Sequence, residues 1–435
     1  MNRDQLKVLP EDAIAIPGLQ GSPSEVARNW PEDIPLIALI ANGEHESWSR
    51  WSILARADGP TFVSHSSNVI DELDTLLKQQ SSATLLPNWI GYLSYECGHI
   101  VEPCIGEKPE QDWALAQLVW CDCALVYDHL NNEWWSIGDC KVPEACQSVD
   151  SFCECSPLLE VEDDETFKHV VQQTIDYIHQ GDIFQANMTR RYTASITGNA
   201  RHAALDMLEK PGGWFGGWLE FPDTNKYLLS MSPELFITTH HQTRSVLTRP
   251  MKGTRPEHAS PEELLDSDKD AAELHMIVDL MRNDLGRLCE YGSIQVEAAR
   301  VLERHPTVWQ CVGEVSGSLR NDVNATDVIR GTFPAGSVTG APKVRAMEII
   351  NQLEQSPRGP YCGAIGIFGQ SLHLNVAIRT AMIEAGGDAC NLQGHLTYST
   401  GCGIVADSIP EDEVQESKVK AAIMNQFTTT LTTHS

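Results

Sequence analysis

Apolar residues in this chain recur with two periods, and the change from one to the other divides it into short strands and amphipathic helices. Over roughly the first third, short apolar runs such as Leu36-Ile37-Ala38-Leu39-Ile40 stand between clusters of Pro, Gly, Asn and Asp, the pattern of strands bounded by turns. Residues 114–127 and 134–137 read as a strand pair around the polar turn Asp128-His129-Leu130-Asn131-Asn132. Asp164-Glu165-Thr166 then opens a helix with Phe167, Val170, Val171, Ile175 and Ile178 on one face, ending near Gly181. A second stripe, Leu274, Ile277, Met281, Leu285 and Leu288, runs through residues 264–288, with Glu273 off the stripe and near Asp270 one turn earlier. Strand-like runs follow at 308–315 and 364–383, and a last helix starts behind Ser408 with Pro410 in its first turn and reaches about Phe427. The stretch 140–165 is acidic and lacks long apolar runs, so it is expected to link an N-terminal region, 1–155, to a larger domain, 156–432.

A length of 435 residues with 42% hydrophobic content supports a substantial core. The 60 acidic against 31 basic residues give a formal charge of −29, which argues against nucleic acid or an anionic membrane surface as partner. No window approaches the roughly 20 apolar residues of a spanning helix. The start, Met1-Asn2-Arg3-Asp4-Gln5-Leu6-Lys7, lacks an apolar signal core, so a cytoplasmic protein is expected. The 13 cysteines include two C-x-C pairs, Cys121/Cys123 and Cys153/Cys155. These fit a metal site or, as the plainer alternative, reduced thiols on alternating strand positions.

Several polar groups are spaced for chemistry. Glu413, Glu416 and Lys420 fall at i, i+3 and i+7, which puts two carboxylates and an ammonium on one helix face, although acidic residues in a first turn also favour the helix dipole. Thr339-Gly340-Ala341-Pro342-Lys343 reads as a turn feeding a helix, with Pro342 suited to the first helical position and the helix N-terminus to an anion. The spacing from Gly336 to Lys343 is not that of a Walker A loop. Gly401 and Gly403 allow close backbone approach to a ligand or merely build a tight turn. Lys252, in Arg249-Pro250-Met251-Lys252-Gly253-Thr254-Arg255-Pro256, taken alone reads as a surface cation.

In order along the chain stand Ser232-Pro233-Glu234, the Lys252 run, Asp279-Leu280-Met281-Arg282-Asn283-Asp284, Gly340-Ala341-Pro342-Lys343-Val344-Arg345-Ala346-Met347-Glu348 and Gly401-Cys402-Gly403-Ile404-Val405-Ala406-Asp407-Ser408. From about Phe167 to Ile423 the chain thereby resembles the chorismate-utilising enzymes; upstream, Gly91-Tyr92-Leu93-Ser94-Tyr95-Glu96 carries a weaker likeness. The resemblance implies an α+β fold, an antiparallel β-sandwich core wrapped by helices, with the site between the sheets. It implies chorismate as substrate and Mg²⁺ as cofactor, with Glu273 and Glu416 as direct ligands and Asp270 and Glu413 in support. A dicarboxylate substrate would be repelled by the net charge, so local cations or the metal must hold it. Substrate contacts are expected from Gln185, Thr339, Lys343, Tyr361, Arg379 and Lys420 and from the backbone of Gly401 and Gly403; the planar fork of Arg379 suits a carboxylate. Glu234 is the implied general acid or base, since a partly desolvated carboxyl group can keep its proton near neutrality.

Two positions discriminate between reactions of the family. Gln185 stands where members that add water at C2 carry a lysine base, and Lys252 stands where the anthranilate synthases carry alanine. A desolvated lysine is a competent nucleophile. The implied reaction is amination at C4, with Lys252 adding at C2 and the enolpyruvyl group surviving. Gln310 departs from the histidine of many relatives. Ser49 and Arg50 lie where relatives hold tryptophan, or else in an exposed loop anchored by Trp48 and Trp51. The sequence has no G-x-C-x-G glutaminase turn, so ammonia is expected from solution or from a separate glutamine amidotransferase subunit. Two rival readings are formation of anthranilate and a non-catalytic scaffold that binds an aromatic amino acid and a glutaminase.

Overall fold

The structure, a computed structural model, describes residues 9–41, 49–106, 111–143, 152–210, 214–256, 260, 262–304 and 308–427. The period-two segments become two large sheets, and every strand pairing among the described residues is antiparallel. At the centre of the larger sheet lie, side by side, Leu36–Ile40, Phe215–Phe221, Lys226–Ser232, Thr380–Gly386, Leu392–Ile404 and Gln185–Gly198. The smaller sheet runs from Met251–Pro256 through Val308–Ser318, Ser245–Arg249, Leu235–His240, Leu372–Val376, Ala364–Phe368 and Asn88–Leu93 to Ala116–Cys121 and Thr61–Ser64. Ile37, Leu219 and Leu228 of the larger sheet meet Ile90, Ile237, Ile365 and Leu374 of the smaller in one buried core. The chain is therefore an α+β protein with a β-sandwich at its centre, as expected.

Helices cover the outer faces. Asp164–His179 starts where the Asp163 carboxylate accepts the Thr166 N–H at 2.8 Å, and its apolar face, Phe167, Val171 and Ile175, packs on Ala186, Met188, Cys402 and Ile404. Helix Lys343–Leu353 adds Ala346, Ile349 and Ile350 to the same cluster. The stripe read at 264–288 is a short turn of helix, Glu262–Leu265, and a longer one, Asp268–Gly286, separated by Asp266 and Ser267, and Ser267 caps the second through the Asp270 N–H.

Two local expectations change. Residues 114–127 are not one strand: Ala116–Cys121 belongs to the smaller sheet and Ala124–Asp128 to the larger, and the chain crosses between them at Asp122-Cys123. A strand covered on both faces reads as an unbroken apolar run, so the pattern shows no crossing. Pro342 is the cap residue before helix Lys343–Leu353, not its first helical residue. Strands from both sides of residue 155 are neighbours in both sheets: Leu36–Ile40 pairs with Phe215–Phe221, and Asn88–Leu93 with Ala364–Phe368.

Candidate active site

One wall of the site is the antiparallel pair Gln185–Gly198 and Leu392–Ile404, with Asn187 opposite Gly403 and Thr189 opposite Gly401. Strand alternation sends Ala186 and Met188 into the helix-facing core and turns Gln185 and Asn187 the other way, toward the smaller sheet. A side chain at Gly401 or Gly403 would displace the polar groups that stand over them. A Cβ on Gly403 would stand 2.7 Å from Gln185 Nε2 and 3.1 Å from Lys252 Nζ; one on Gly401 would stand 2.7 Å from Asn187 Nδ2 and 3.2 Å from the Tyr361 hydroxyl oxygen.

Lys252 comes from the smaller sheet, so the site lies between the sheets. The register of Met251–Pro256 against Val308–Ser318 slips between Lys252, opposite Cys311, and Thr254, opposite Gln310. Gly253 takes up the slip at φ 77°, which re-aims Lys252 as a β-bulge does. Burial pushes the Lys252 amine below its ordinary range, an effect that the charge of Glu273 opposes and that of Lys420 reinforces; Glu234 and Glu416 also act on it.

Glu234 occupies the crossing from Lys226–Ser232 in the larger sheet to Leu235–His240 in the smaller. The Ser232 hydroxyl braces that turn, accepting the Glu234 N–H at 3.2 Å and donating to the Val376 carbonyl at 2.6 Å. The Glu234 carboxyl group is pushed up to about 7 by burial, against the opposing charge of Lys252. Burial thus favours the neutral form of both groups, the Glu234 acid and the Lys252 amine, each opposed by the charge of the other.

The expected metal ligands come from two helices. Glu273 lies on Asp268–Gly286 and Glu416 on Pro410–Ala421, and both carboxylates act on the Lys252 amine. Carboxylate oxygens of Glu413 and Glu416 and the thiol of Cys402 lie within 4.8 Å of one another. Glu413 is buried and accepts the Ser408 hydroxyl at 2.7 Å, whereas the Glu416 side chain is 50% exposed and accepts Lys420 Nζ at 2.6 Å. Asp270 stands behind the bulge, its Oδ1 3.1 Å from where a Gly253 Cβ would be. Among the described residues Glu413 and Glu416 are the expected ligands that stand together, and their oxygens suit a hard divalent cation; Glu273 and Asp270 are not within that close group. Lys420 also donates to the Gly401 carbonyl at 2.8 Å, which ties the helix to the glycine strand.

Tyr361 is buried beside Gly401, and Arg379, at φ 51°, is half-buried beside Tyr398, its guanidinium lowered from its ordinary range by burial. Gln310 is buried one step along the ladder from Cys311. Lys343 is not brought to this group. Its Nζ donates to Asp284 Oδ2 at 2.5 Å and to the Thr332 carbonyl at 2.6 Å, because a buried ammonium requires partners and Asp284 supplies the charge. The Thr339 hydroxyl donates to the Ala335 carbonyl at 3.1 Å within its own turn, so Thr339 serves the site through its carbonyl, which accepts the Asn187 N–H at 2.8 Å. Among the expected tryptophan-pocket residues, Ser49 lines a cavity of about 160 Å³ between the sheets, with Trp51, Trp214, His240 and Asn375. Arg50 does not: its guanidinium pairs with Asp128 and stacks on Trp51, where a charge finds a partner that the apolar cavity lacks. Of the C-x-C cysteines, Cys153 and Cys155 are buried on the strand Cys153–Cys155 with Glu154 exposed between them.

Sequence reasoning missed Asn187 and the Gly253 bulge. Position i+2 from Gln185 was a usable signal for the first; for the second, only a glycine beside the lysine.

Comparison with known proteins identifies the family. Residues 39–426 match the family described as chorismate binding enzyme, and the chain belongs to that family. It is 32% identical over 414 residues to anthranilate synthase component 1 of Saccharolobus solfataricus, covering 92% of this chain and 95% of that one. To aminodeoxychorismate synthase component 1 of Escherichia coli it is 33% identical over 366 residues, covering 80% and 78%. The solved anthranilate synthase component I from Streptococcus pneumoniae superposes with a TM-score of 0.73 at 26% identity, over 87% of this chain and 92% of that chain. The menaquinone-specific isochorismate synthase from Escherichia coli shares the fold, with a TM-score of 0.73 at 16% identity. The protein is a chorismate-utilising enzyme.

Proposed function

We propose that the chain is an aminodeoxychorismate synthase component I, which converts chorismate and ammonia to 4-amino-4-deoxychorismate for p-aminobenzoate and folate synthesis. The observation that carries this reading is Lys252: a buried amine 3.1 Å from where a Gly403 Cβ would stand, placed there by a bulge and electrostatically coupled to Glu234, whose carboxyl group burial raises to about 7. Glu234 donates its proton to the departing C4 hydroxyl, which leaves as water, while the unprotonated form of the Lys252 amine bonds to C2 and both ring double bonds shift. Ammonia then bonds to C4, both double bonds shift back, and the C2–nitrogen bond breaks, returning Lys252; the enolpyruvyl ether is untouched. Mg²⁺ held by Glu273 and Glu416, with Asp270 and Glu413 behind them, would anchor and neutralise a substrate carboxylate. Ammonia reaches the site from solution or from a separate glutamine amidotransferase subunit.

The second reading is anthranilate formation, favoured by the 32% identity to an anthranilate synthase over nearly the whole chain. The test is to supply chorismate, Mg²⁺ and ammonium and identify the product by mass and ultraviolet spectrum. A product that retains the enolpyruvyl group is expected; fluorescent anthranilate with released pyruvate overturns the proposal. Chelation should stop turnover and Mg²⁺ restore it. Without ammonium, chorismate should leave an adduct that peptide mapping places on Lys252 and that Lys252→Met lacks.

A further inference from the structure

The outer face of the larger sheet carries a pair of thiols, away from the substrate site. Strands Trp51–Arg56, Ala124–Asp128 and Glu133–Ile137 lie side by side there. Leu54, Leu125 and Trp134 pack on that outer face, while Ile53, Val126 and Ile137 alternate into the sandwich. Cys123 packs with Leu125 on the outer face, and its carbonyl accepts the Arg56 N–H at 3.0 Å. Beyond Ile137 the chain turns at Gly138, φ 64°, where a Cβ would stand 2.3 Å from the Asp122 carbonyl oxygen and 3.3 Å from Cys123 Cα. It then folds back, the Ser136 hydroxyl donating to the Cys140 carbonyl at 3.1 Å, and this brings Cys140 to Cys123. Neither cysteine is in a disulfide.

The pair is asymmetric. Cys140 is buried, whereas Cys123 is partly exposed. The Cys140 S–H donates to the Cys123 sulfur; that bond, helped by the Arg56 guanidinium, holds the Cys123 thiol below its ordinary range against burial and the charge of Asp122. The same bond, with burial and the Cys123 charge, pushes the Cys140 thiol up. A thiol that oxidises selectively is partly exposed, stands by a cation and has a second thiol within reach, whereas a thiol buried among apolar groups is inert. Cys121, the other member of the C-x-C pair, is of the inert kind: it lies buried on Ala116–Cys121, and burial pushes its thiol up.

We propose that Cys123 and Cys140 form an oxidation site, a dithiol that a hydroperoxide converts to a disulfide, pinning the crossing between the sheets to the end of the neighbouring hairpin. The Cys123 sulfur attacks the peroxide: an S–O bond forms, the O–O bond breaks, and the departing oxygen takes up the thiol proton, leaving a sulfenic acid. Cys123 then no longer carries the negative charge that held the proton on Cys140. The Cys140 sulfur attacks the Cys123 sulfur, an S–S bond forms, and the S–O bond breaks, its hydroxyl leaving with the Cys140 proton as water. The thiols together lose a pair of electrons and their protons, and the peroxide is the group reduced. This site does not depend on which reaction the enzyme catalyses.

The experiment treats the full chain with a slight molar excess of hydrogen peroxide, alkylates the remaining thiols and maps the peptides without reduction. A Cys123–Cys140 crosslink that dithiothreitol removes is expected, with Cys121 still reduced. The oxidised protein should also melt at a higher temperature, because the disulfide restricts the unfolded chain. Cys140→Ser should stop at a Cys123 sulfenic acid that dimedone traps, whereas Cys123→Ser should leave Cys140 a thiol at the same dose; the parent's peptide map decides if either variant fails to fold. An unreacted pair, oxidation of Cys121 ahead of Cys123, passage of Cys123 to sulfinic acid without a crosslink, or an unchanged melting temperature overturns the proposal.

Discussion

Glu234 shows how one side chain acquires a function from its surroundings. Burial raises its carboxyl group to about 7, above the value of an exposed glutamate, so the folded protein holds this proton at pH values where the unfolded chain has released it. Stability contributed here is present at low pH and is lost as pH rises from the ordinary glutamate range through about 7, by roughly 3 kcal/mol for a shift of this size. Glu234→Gln removes the titration. The difference in unfolding free energy between mutant and wild type, followed by urea denaturation from pH 4 to pH 9, should therefore move in the mutant's favour as pH rises. A pH-independent difference would show that the carboxyl group is not desolvated. Activity should fall on the alkaline side as Glu234 loses its proton, and Glu234→Gln should lose turnover at every pH.

At the scale of an element, strand Met251–Pro256 works because it is irregular. Gly253 at φ 77° lets two residues oppose one on Val308–Ser318, and the slip aims Lys252 at Gly403. Alanine there meets the left-handed backbone penalty of roughly 1–2 kcal/mol. Its Cβ would also sit 3.0 Å from Leu264 Cδ2 and 3.1 Å from Asp270. Gly253→Ala should therefore cost about 2 kcal/mol of stability or relax by straightening the bulge. Because relaxation moves the lysine, turnover should drop by at least ten-fold and the Lys252 adduct should disappear even where the variant stays folded. A mutant with full activity and unaltered adduct formation would show that the bulge does not place the amine.

At the scale of the molecule, both sheets draw strands from either side of residue 155, and one core joins Ile37 and Ile90 to Leu219 and Ile365. A chain cut to residues 156–435 would expose the edges of Phe215–Phe221 and Ala364–Phe368 that Leu36–Ile40 and Asn88–Leu93 now cover. It should aggregate or lack fixed tertiary signals. The full chain should unfold with coincident changes in far- and near-ultraviolet circular dichroism. Separate transitions, or a folded and active fragment, would establish an independent N-terminal unit. No helix among the described residues is long and apolar enough to cross a membrane.

The amino-acid sequence by itself determined the family, the α+β class, the presence of helices after Asp163, within 264–288 and behind Ser408, and the chemical types at Glu234, Lys252, Glu273, Glu416 and Arg379, because local periodicity and residue identity are written along the chain. What lay across sheets was not legible there. The break at Asp122-Cys123 is invisible to periodicity, since strands on both sides of it are buried on two faces. Lys343 carries the same charge whether it meets a ligand or Asp284, and only packing decided for Asp284. Asn187 is one more polar residue in a strand until Gly401 is brought beneath it. Proton affinities, partners and the corner in which each side chain stands depend on groups tens or hundreds of residues away, so tertiary structure alone could assign them.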